Sequence, residues 1–294
     1  MDERAALSVI GDIVDAAGDD AAVVGETVLT IDMLHAETDF PEGTTARTMG
    51  WRAVGASLSD VAAMGATATA TVAVYGAPAF EREALGDFVA GASDVSTAVG
   101  AEYVGGDLDG HREVTVATTA IGTTEAPVRR SGAAPGDVVC VTGALGRTAA
   151  ALRAFERGDV DRGNDLFRFT PRVEAGRALA SHASAMMDSS DGLARSAHQL
   201  AEASGVGVAL RGDGVPIHDA LREAGDERPL HEAMTVGEDF ELVCTVPPDA
   251  VAAARRDLDV ALTAVGTVTE ESAGVVLDGA PLPDEGWTHG DAIS

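Results

Sequence analysis

A chain of 294 residues with 46% apolar content is long enough for one large domain or two ordinary ones, each with its own core. Its 48 acidic residues outweigh 20 basic ones, giving a formal charge of −28, and every basic residue is an arginine. That balance excludes nucleic acid and anionic membrane as partners, since both need clustered Lys and Arg, and the absence of lysine excludes Schiff-base, pyridoxal phosphate and lysine-dependent P-loop chemistry.

The acidic residues are dispersed among Ala, Gly and Val, the pattern of a solvated acidic surface rather than a disordered tail. Such a surface fits a salt-rich cytosol, where the Debye length falls to about 3 Å at 1 M. Cys140 and Cys244 lie far apart in sequence within apolar runs, as buried free thiols of a reducing compartment do. The first residues carry charge and no apolar leader, and no run reaches membrane-spanning length, so a soluble cytoplasmic protein is expected.

In chain order, the periodicity predicts strands over 21–24 and 28–31, a helix over 45–65, a β-rich stretch over 67–75 and a helix over 81–99. Tyr103-Val104 then leads into a Gly105-Gly106-Asp107 turn, followed by a half-buried strand over 114–121. The order is β-β-α-β-α-β-β. Pro and Gly punctuate 132–137, and a fresh strand over 138–142 follows, so a second α/β unit begins there. Gly143 to Thr148 resembles a P-loop only superficially and is expected to be a strand-to-helix turn. Thr170 as N-cap and Pro171 at the first helical position predict a helix into 172–182. Asp191-Gly192 opens another, to about 204; strands over 241–246 and 261–268 flank a helix over 248–258, and 275–277 adds an edge.

Five short turns gather aspartate beside Gly, Ser or Thr: Gly18-Asp19-Asp20, Thr30-Ile31-Asp32, Ser59-Asp60, Gly105-Gly106-Asp107 and Asp188-Ser189-Ser190-Asp191-Gly192. Mg²⁺ takes hard oxygen ligands, often one or two carboxylates per ion plus substrate phosphates, so the set points to metal-assisted phosphoryl chemistry. Each turn also has a structural explanation, since Asp bonds its own backbone in turns and caps helices. On the 45–65 helix the stripe Trp51, Val54, Leu58 and Val61 forms the buried face, and helical spacing turns Asp60 away from it, toward water or a cleft. The seven histidines show no zinc spacing, and no Gly-x-Ser-x-Gly motif is present.

Taken together, these segments resemble the thiamine-monophosphate kinase family of the aminoimidazole ribonucleotide synthetase-like superfamily. The resemblance spans nearly the whole chain and is sharpest at Leu58-Ser59-Asp60-Val61-Ala62-Ala63-Met64-Gly65; Arg130-Ser131-Gly132 to Asp137 and Gly237-Glu238-Asp239-Phe240-Glu241-Leu242 also carry it. It implies a two-domain α/β (α+β) fold: an N-terminal mixed sheet with helices over 1–130, binding ATP and Mg²⁺ and pairing across a homodimer, and a C-terminal α/β domain over 131–294. It also implies transfer of the γ-phosphoryl group of ATP to thiamine monophosphate. Position by position, Asp20, Thr30, Asp32, Asp60, Asp107, Asp188 and Asp191 are the implied Mg²⁺ ligands. Asp32, Asp60 and Asp107 are expected to hold the ions that bridge donor and acceptor. Gly106, Arg130 and Ser190 are the implied nucleotide contacts, and Glu238 and Trp287 the implied thiamine contacts.

The chain departs from the family at two places. Asp39 precedes Phe40 where a substrate-contacting His is usual, and Ile31-Asp32 replaces a Thr-Asp pair. Asp39 therefore stands at a substrate-binding position, where a carboxylate suits the cationic thiazolium. The other readings are a synthetase-like cyclase of the superfamily and a non-catalytic nucleotide-binding paralogue.

Overall fold

The computed structural model describes residues 9–286 apart from 12, 15, 16 and 226; Trp287 lies outside the described residues. Strands β1 (Ala22–Val24), β2 (Thr27–His35), β3 (Thr67–Ala77), β4 (Glu102–Gly110) and β5 (Thr115–Thr123) form one sheet in the order β1-β2-β5-β3-β4. Only β3 and β4 are parallel, and the crossover that a parallel pair needs is helix α3 (Arg82–Ala98). The expected element order holds, with a four-residue helix α1 (Ala36–Asp39) added before α2 (Ala46–Ala63). Thr45 caps α2, its hydroxyl accepting from the Thr48 amide at 3.2 Å.

Gly105-Gly106-Asp107 does not form the expected turn. The three residues run inside β4, where the register slips by one at Val104 and Gly105 takes φ +142° to absorb the bulge. Gly106 is fixed by strand pairing, because a Cβ there would stand 1.7 Å from the Ala73 carbonyl oxygen.

α2 lies against the inner face of this sheet with most of its circumference buried; Val54, Leu58 and Val61 are fully enclosed and Trp51 half so. It meets α3 at very short range, since a Cβ on Gly50 would meet the Phe88 carbonyl oxygen and one on Gly91 that of Arg47. On another side it meets α6 (Val173–Leu179), where Gly176 passes under the Ala62 carbonyl.

The second sheet runs β12-β11-β8-β10-β6-β9-β7, from β6 (Val138–Thr142), β7 (Ala185–Asp188), β8 (Gly207–Leu210), β9 (Leu242–Val246), β10 (Leu262–Thr269), β11 (Val275–Leu277) and β12 (Ala280–Pro281). Of the helices α4 (Arg147–Glu156), α5 (Val160–Phe167), α7 (Leu193–Ser204), α8 (Asp219–Glu223), α9 (Pro229–Thr235) and α10 (Val251–Asp257), α7 packs on β7 and β8, α4 meets α5, α8 and α9, and α10 meets α6. The helix expected from 172 starts at Val173 instead; Thr170 and Pro171 stay outside it because Arg172 turns to bind Glu241. β11 is not the edge, since β12 lies outside it. Cys140 and Cys244, distant in sequence, face each other as register partners on β6 and β9, buried and unbridged. Burial pushes the Cys140 thiol up to about 11 and Cys244 well above its ordinary value, so neither is a nucleophile. Among the described residues, no helix is long and apolar enough to cross a membrane.

Candidate active site

Three aspartates from three distant segments converge. Asp20 sits on the bend after Gly18, whose φ of +119° favours glycine. Asp60 projects from the last turn and a half of α2, and Asp188 ends the fully buried β7. One oxygen of each lies within 4.8 Å of the other two. Burial raises the Asp60 carboxyl well above the usual range, and the charges of Asp32, Asp188 and Asp20 raise it further. Burial, then Asp20, pushes Asp188 up to about 7.

Positive charge and hydroxyls offset part of this repulsion. Arg130 forks onto Asp20, Nε donating to Oδ2 at 3.2 Å and Nη2 to Oδ1 at 2.9 Å. Burial works against the Arg130 charge, but Asp20 holds its guanidinium protonated. The Thr30 hydroxyl donates to Asp60 Oδ2. Next along the inner face of the sheet, Asp32 Oδ2 accepts from Ser57 at 2.5 Å, and Ser57 in turn meets Thr118 at 2.7 Å.

The site residues read from the sequence thus fall into groups. Asp20, Thr30, Asp60, Asp188 and Arg130 are in direct contact or within one charge cluster. Asp32, Ser190, Asp191 and Glu238 line an adjoining cavity of about 460 Å³ with His35, Ala56 and Phe240. Asp39 is buried and closes α1, its Oδ2 accepting from the His35 amide at 2.6 Å, and it lines a second cavity of about 380 Å³ that Glu238 also lines. Asp107 is not brought to the cluster. Across the sheet Asp32 shares a row with Thr118, Ala73 and Gly106, whereas Asp107 shares the next row with Val74, Ala117 and Met33, on the opposite face.

A cation fits the three-aspartate cluster. The chain has stacked negative charge there, and Asp188 Oδ2 is buried without a hydrogen-bond partner among the described residues. The donors are all hard carboxylate oxygens, the set that Mg²⁺ takes.

Around the cluster, two loops zip together: the Ser189 amide donates to the Glu241 carbonyl at 2.8 Å and the Glu238 amide to the Ser190 carbonyl at 2.6 Å. Gly192 (φ +99°) and Gly237 (φ +75°) permit it, since a Cβ on either would strike backbone across the seam. Asp239 Oδ1 accepts from the Thr148 amide at 2.8 Å and its other oxygen from Gly146, capping α4 from outside. Glu241 receives both arms of Arg172, at 2.7 and 2.5 Å, and the Thr142 hydroxyl at 2.7 Å.

Residues 18–124 match the family model described as AIR synthase related protein, N-terminal domain, and residues 134–279 match its C-terminal domain counterpart. A thiamine-monophosphate kinase of Halobacterium salinarum is 63% identical over 289 residues, covering 98% of this chain and 100% of that protein. The chain belongs to the thiamine-monophosphate kinase family. The family's enzyme from Methanospirillum hungatei is 38% identical over 98% of this chain and 99% of its own. A solved structure described as AaThiL complexed with AMPPCP and TMP has a TM-score of 0.88 at 27% identity, covering 98% of this chain and 97% of that one. Thiamine-monophosphate kinase from Stenotrophomonas maltophilia K279a gives 0.81 at 31% identity over 90% of each chain. Hydrogenase maturation protein HypE, 20% identical with a TM-score of 0.70 over 92% of this chain and 90% of its own, shares the fold.

Set within this thiamine-monophosphate kinase fold, Arg52 is the residue that the sequence reading missed. It is 2% exposed, lies 3.6 Å from the Phe167 ring centroid, and binds the Glu238 carboxylate. Its signal was a single charge within the otherwise uncharged stretch from Thr48 to Ser59.

Proposed function

We propose that this chain phosphorylates thiamine monophosphate at the expense of ATP, yielding thiamine diphosphate and ADP, with Mg²⁺ held by Asp20, Asp60 and Asp188. The convergence of those three carboxylates from residues 20, 60 and 188 carries the reading. Kinase family membership supplies the substrates: the matching structure was solved with AMPPCP and TMP. Asp32 and Asp191 extend the acidic wall into the 460 Å³ cavity, and Thr30 lends a hydroxyl. Bound there, Mg²⁺ would neutralise phosphate oxygens and stabilise the charge of an in-line transfer.

The chain's own residues then have limited tasks. The acceptor phosphate is largely ionised at neutral pH, its second pKa being about 6, so no strong base and no side-chain nucleophile is required. Arg130 supplies a planar cation beside the cluster, held in place by Asp20. Ser190, at the mouth of the loop before α7, and Gly106 are the nucleotide contacts. Glu238 and Asp39 face the organic part of the acceptor, in a cavity whose Phe155 and Phe167 walls and acidic side chains suit an aromatic cation.

Residues 1–130 form the ATP, Mg²⁺ and dimerisation half, and 131–294 the second half. The outer face of the first sheet supports pairing with a second copy, because Leu29, Ile31, Met33, Val74, Val104 and Ile121 are exposed. Asp107 lies on that same face, so its part in metal binding depends on the pairing. The cytoplasm is the compartment that two free thiols fit.

The test is incubation in molar KCl with ATP, Mg²⁺ and thiamine monophosphate, followed by ³¹P NMR. Equal amounts of thiamine diphosphate and ADP, abolished by EDTA, are expected. Folded protein that binds ATP and makes no thiamine diphosphate would overturn the reading.

A further inference from the structure

The loop bearing Glu238 is strained. Glu238 and Phe240 both have φ of 54°, in the left-handed region that non-glycine residues avoid. Two such residues in three persist only where surrounding structure over-determines them, and such strain gathers at ligand clamps. Here the restraints are visible. Asp239, between the two, is tied to the Gly146 and Thr148 amides; Phe240 stacks on Phe169 at 4.3 Å; Thr148 Oγ1 donates to the Glu238 carbonyl at 2.8 Å.

Arg52 supplies the restraint from the other half of the molecule. Its Nη2 donates to the Glu238 carbonyl at 3.2 Å and to Oε2 of the Glu238 carboxylate at 2.7 Å, and its Nη1 donates to the Phe167 carbonyl at 2.8 Å. The guanidinium lies against the Phe167 ring, with Phe169 and Phe240 5.7 and 5.6 Å away. One planar group therefore fixes the Glu238 main chain, aims its side chain and anchors the segment of residues 167–169 beside it. Glu238 lines both cavities, the one containing Asp32, Ser190 and Asp191 and the one containing Asp39, Phe155 and Phe167. It is the partition between the region beside the carboxylate cluster and the aromatic, acidic region.

We infer that Arg52 is a positioning residue for the phosphoryl acceptor: by holding Glu238 in its strained conformation it sets where the organic part of thiamine monophosphate sits relative to the reacting phosphate. This rests on the kinase reading above. It assigns the acceptor's alignment to a buried arginine on α2 that touches neither substrate. A lysine cannot replace it, because a single ammonium does not span the Phe167 carbonyl, the Glu238 carbonyl and the Glu238 carboxylate while stacking on a ring.

Steady-state kinetics tests this with both substrates varied. Formation of thiamine diphosphate by the wild type is the control: its absence would overturn the kinase reading and this proposal with it, whereas the KM pattern of the variants overturns this proposal alone. With that activity present, Arg52→Lys is expected to raise KM for thiamine monophosphate at least tenfold and to leave KM for ATP within about twofold. Glu238→Gln should raise the same KM, and the Arg52→Lys/Glu238→Gln double variant should be no worse than the poorer single variant, as for two residues acting as one unit. A merely structural role would lower the melting temperature and the active fraction while leaving KM for thiamine monophosphate within twofold. That result, a parallel rise in both KM values, or fully multiplicative effects would overturn the proposal. If Arg52→Lys does not fold, Thr148→Val removes the neighbouring restraint on the Glu238 carbonyl. It is expected to raise KM for thiamine monophosphate about threefold, and a folded Thr148→Val with unchanged KM would count against the proposal.

Discussion

Asp20, Asp60 and Asp188 stand close enough to repel one another, and Arg130 and Thr30 soften only part of the repulsion. Removing one carboxylate should therefore harm turnover and help folding. Asp60→Asn is expected to cost at least a hundredfold in turnover and to raise the melting temperature in EDTA. It should also shrink the stabilisation that Mg²⁺ gives the wild type, since a ligand stabilises only through its affinity for the folded state; thermal scans with EDTA and with Mg²⁺ read both effects. Asp239 has a different pH signature. Burial pushes its carboxyl from 3.8 to about 6, against the pull of the Thr148 and Gly146 amides. Between those values the folded chain binds more protons than the unfolded one, so stability from this group is greatest below pH 4 and is lost as pH rises through 6. Relative to wild type, Asp239→Asn should gain up to about 3 kcal/mol between pH 4 and pH 7 in urea unfolding, because each tenfold difference in proton affinity between the folded and unfolded chain is worth about 1.36 kcal/mol. The sequence displayed the aspartates because each stands beside Gly, Ser or Thr. It did not show that Asp107 faces away from the others, since a one-residue bulge at Val104 decides the side and leaves no compositional mark. Arg52 escaped for a related reason: in so acidic a chain, an arginine on a helix reads as surface, as its neighbour Arg47 on α2 is.

The α2–α3 contact has no room for a side chain. A Cβ on Gly91 would lie 1.9 Å from the Arg47 carbonyl oxygen, and one on Gly50 2.0 Å from that of Phe88. Backbone cannot yield as a flexible side chain does, so the helices must part. Gly91→Ala, a gain in intrinsic helix propensity, is nevertheless expected to destabilise by about 3 kcal/mol; a shift in the denaturation midpoint checks it. The helices α2 and α3 were legible almost to the residue because their apolar positions recur over several turns, and the five-residue strands β6 and β9 because each is a largely apolar run bounded by turn residues. The four-residue strand β8 and the short helices α8 and α9 offer too few repeats to show a period. The helix start at Thr170-Pro171 carried a sound local signal and failed through a tertiary contact, the ion pair of Arg172 with Glu241.

At the scale of the molecule, the first sheet is two-faced: one face is buried on α2, and the other exposes Ile31 at 73% and Met33 at 56%. Ile31→Asp places charge on that face; with the pairing proposed above, sedimentation should show dimer for the wild type and monomer for the variant, with the fold retained in circular dichroism, and a monomeric wild type would refute the pairing. The matches over 18–124 and 134–279 bear out two units. How they join was not legible, because the joint is a set of buried apolar contacts shared by both halves, Val54, Leu58 and Ala62 clustering with Val173, Leu179 and Met186, and an apolar face does not say which partner it will meet. α2 makes most of these contacts. Gly176 seats α6 under the Ala62 carbonyl, Trp51 donates to the Phe169 carbonyl, and Arg52 reaches Phe167 and Glu238. α2 belongs by topology to the first sheet and by contact to both. Neither half can shed its partner without exposing a guanidinium's buried ties and an unfilled groove, so hinge opening carries the cost of all these contacts at once. Heating should accordingly melt both halves in one calorimetric peak.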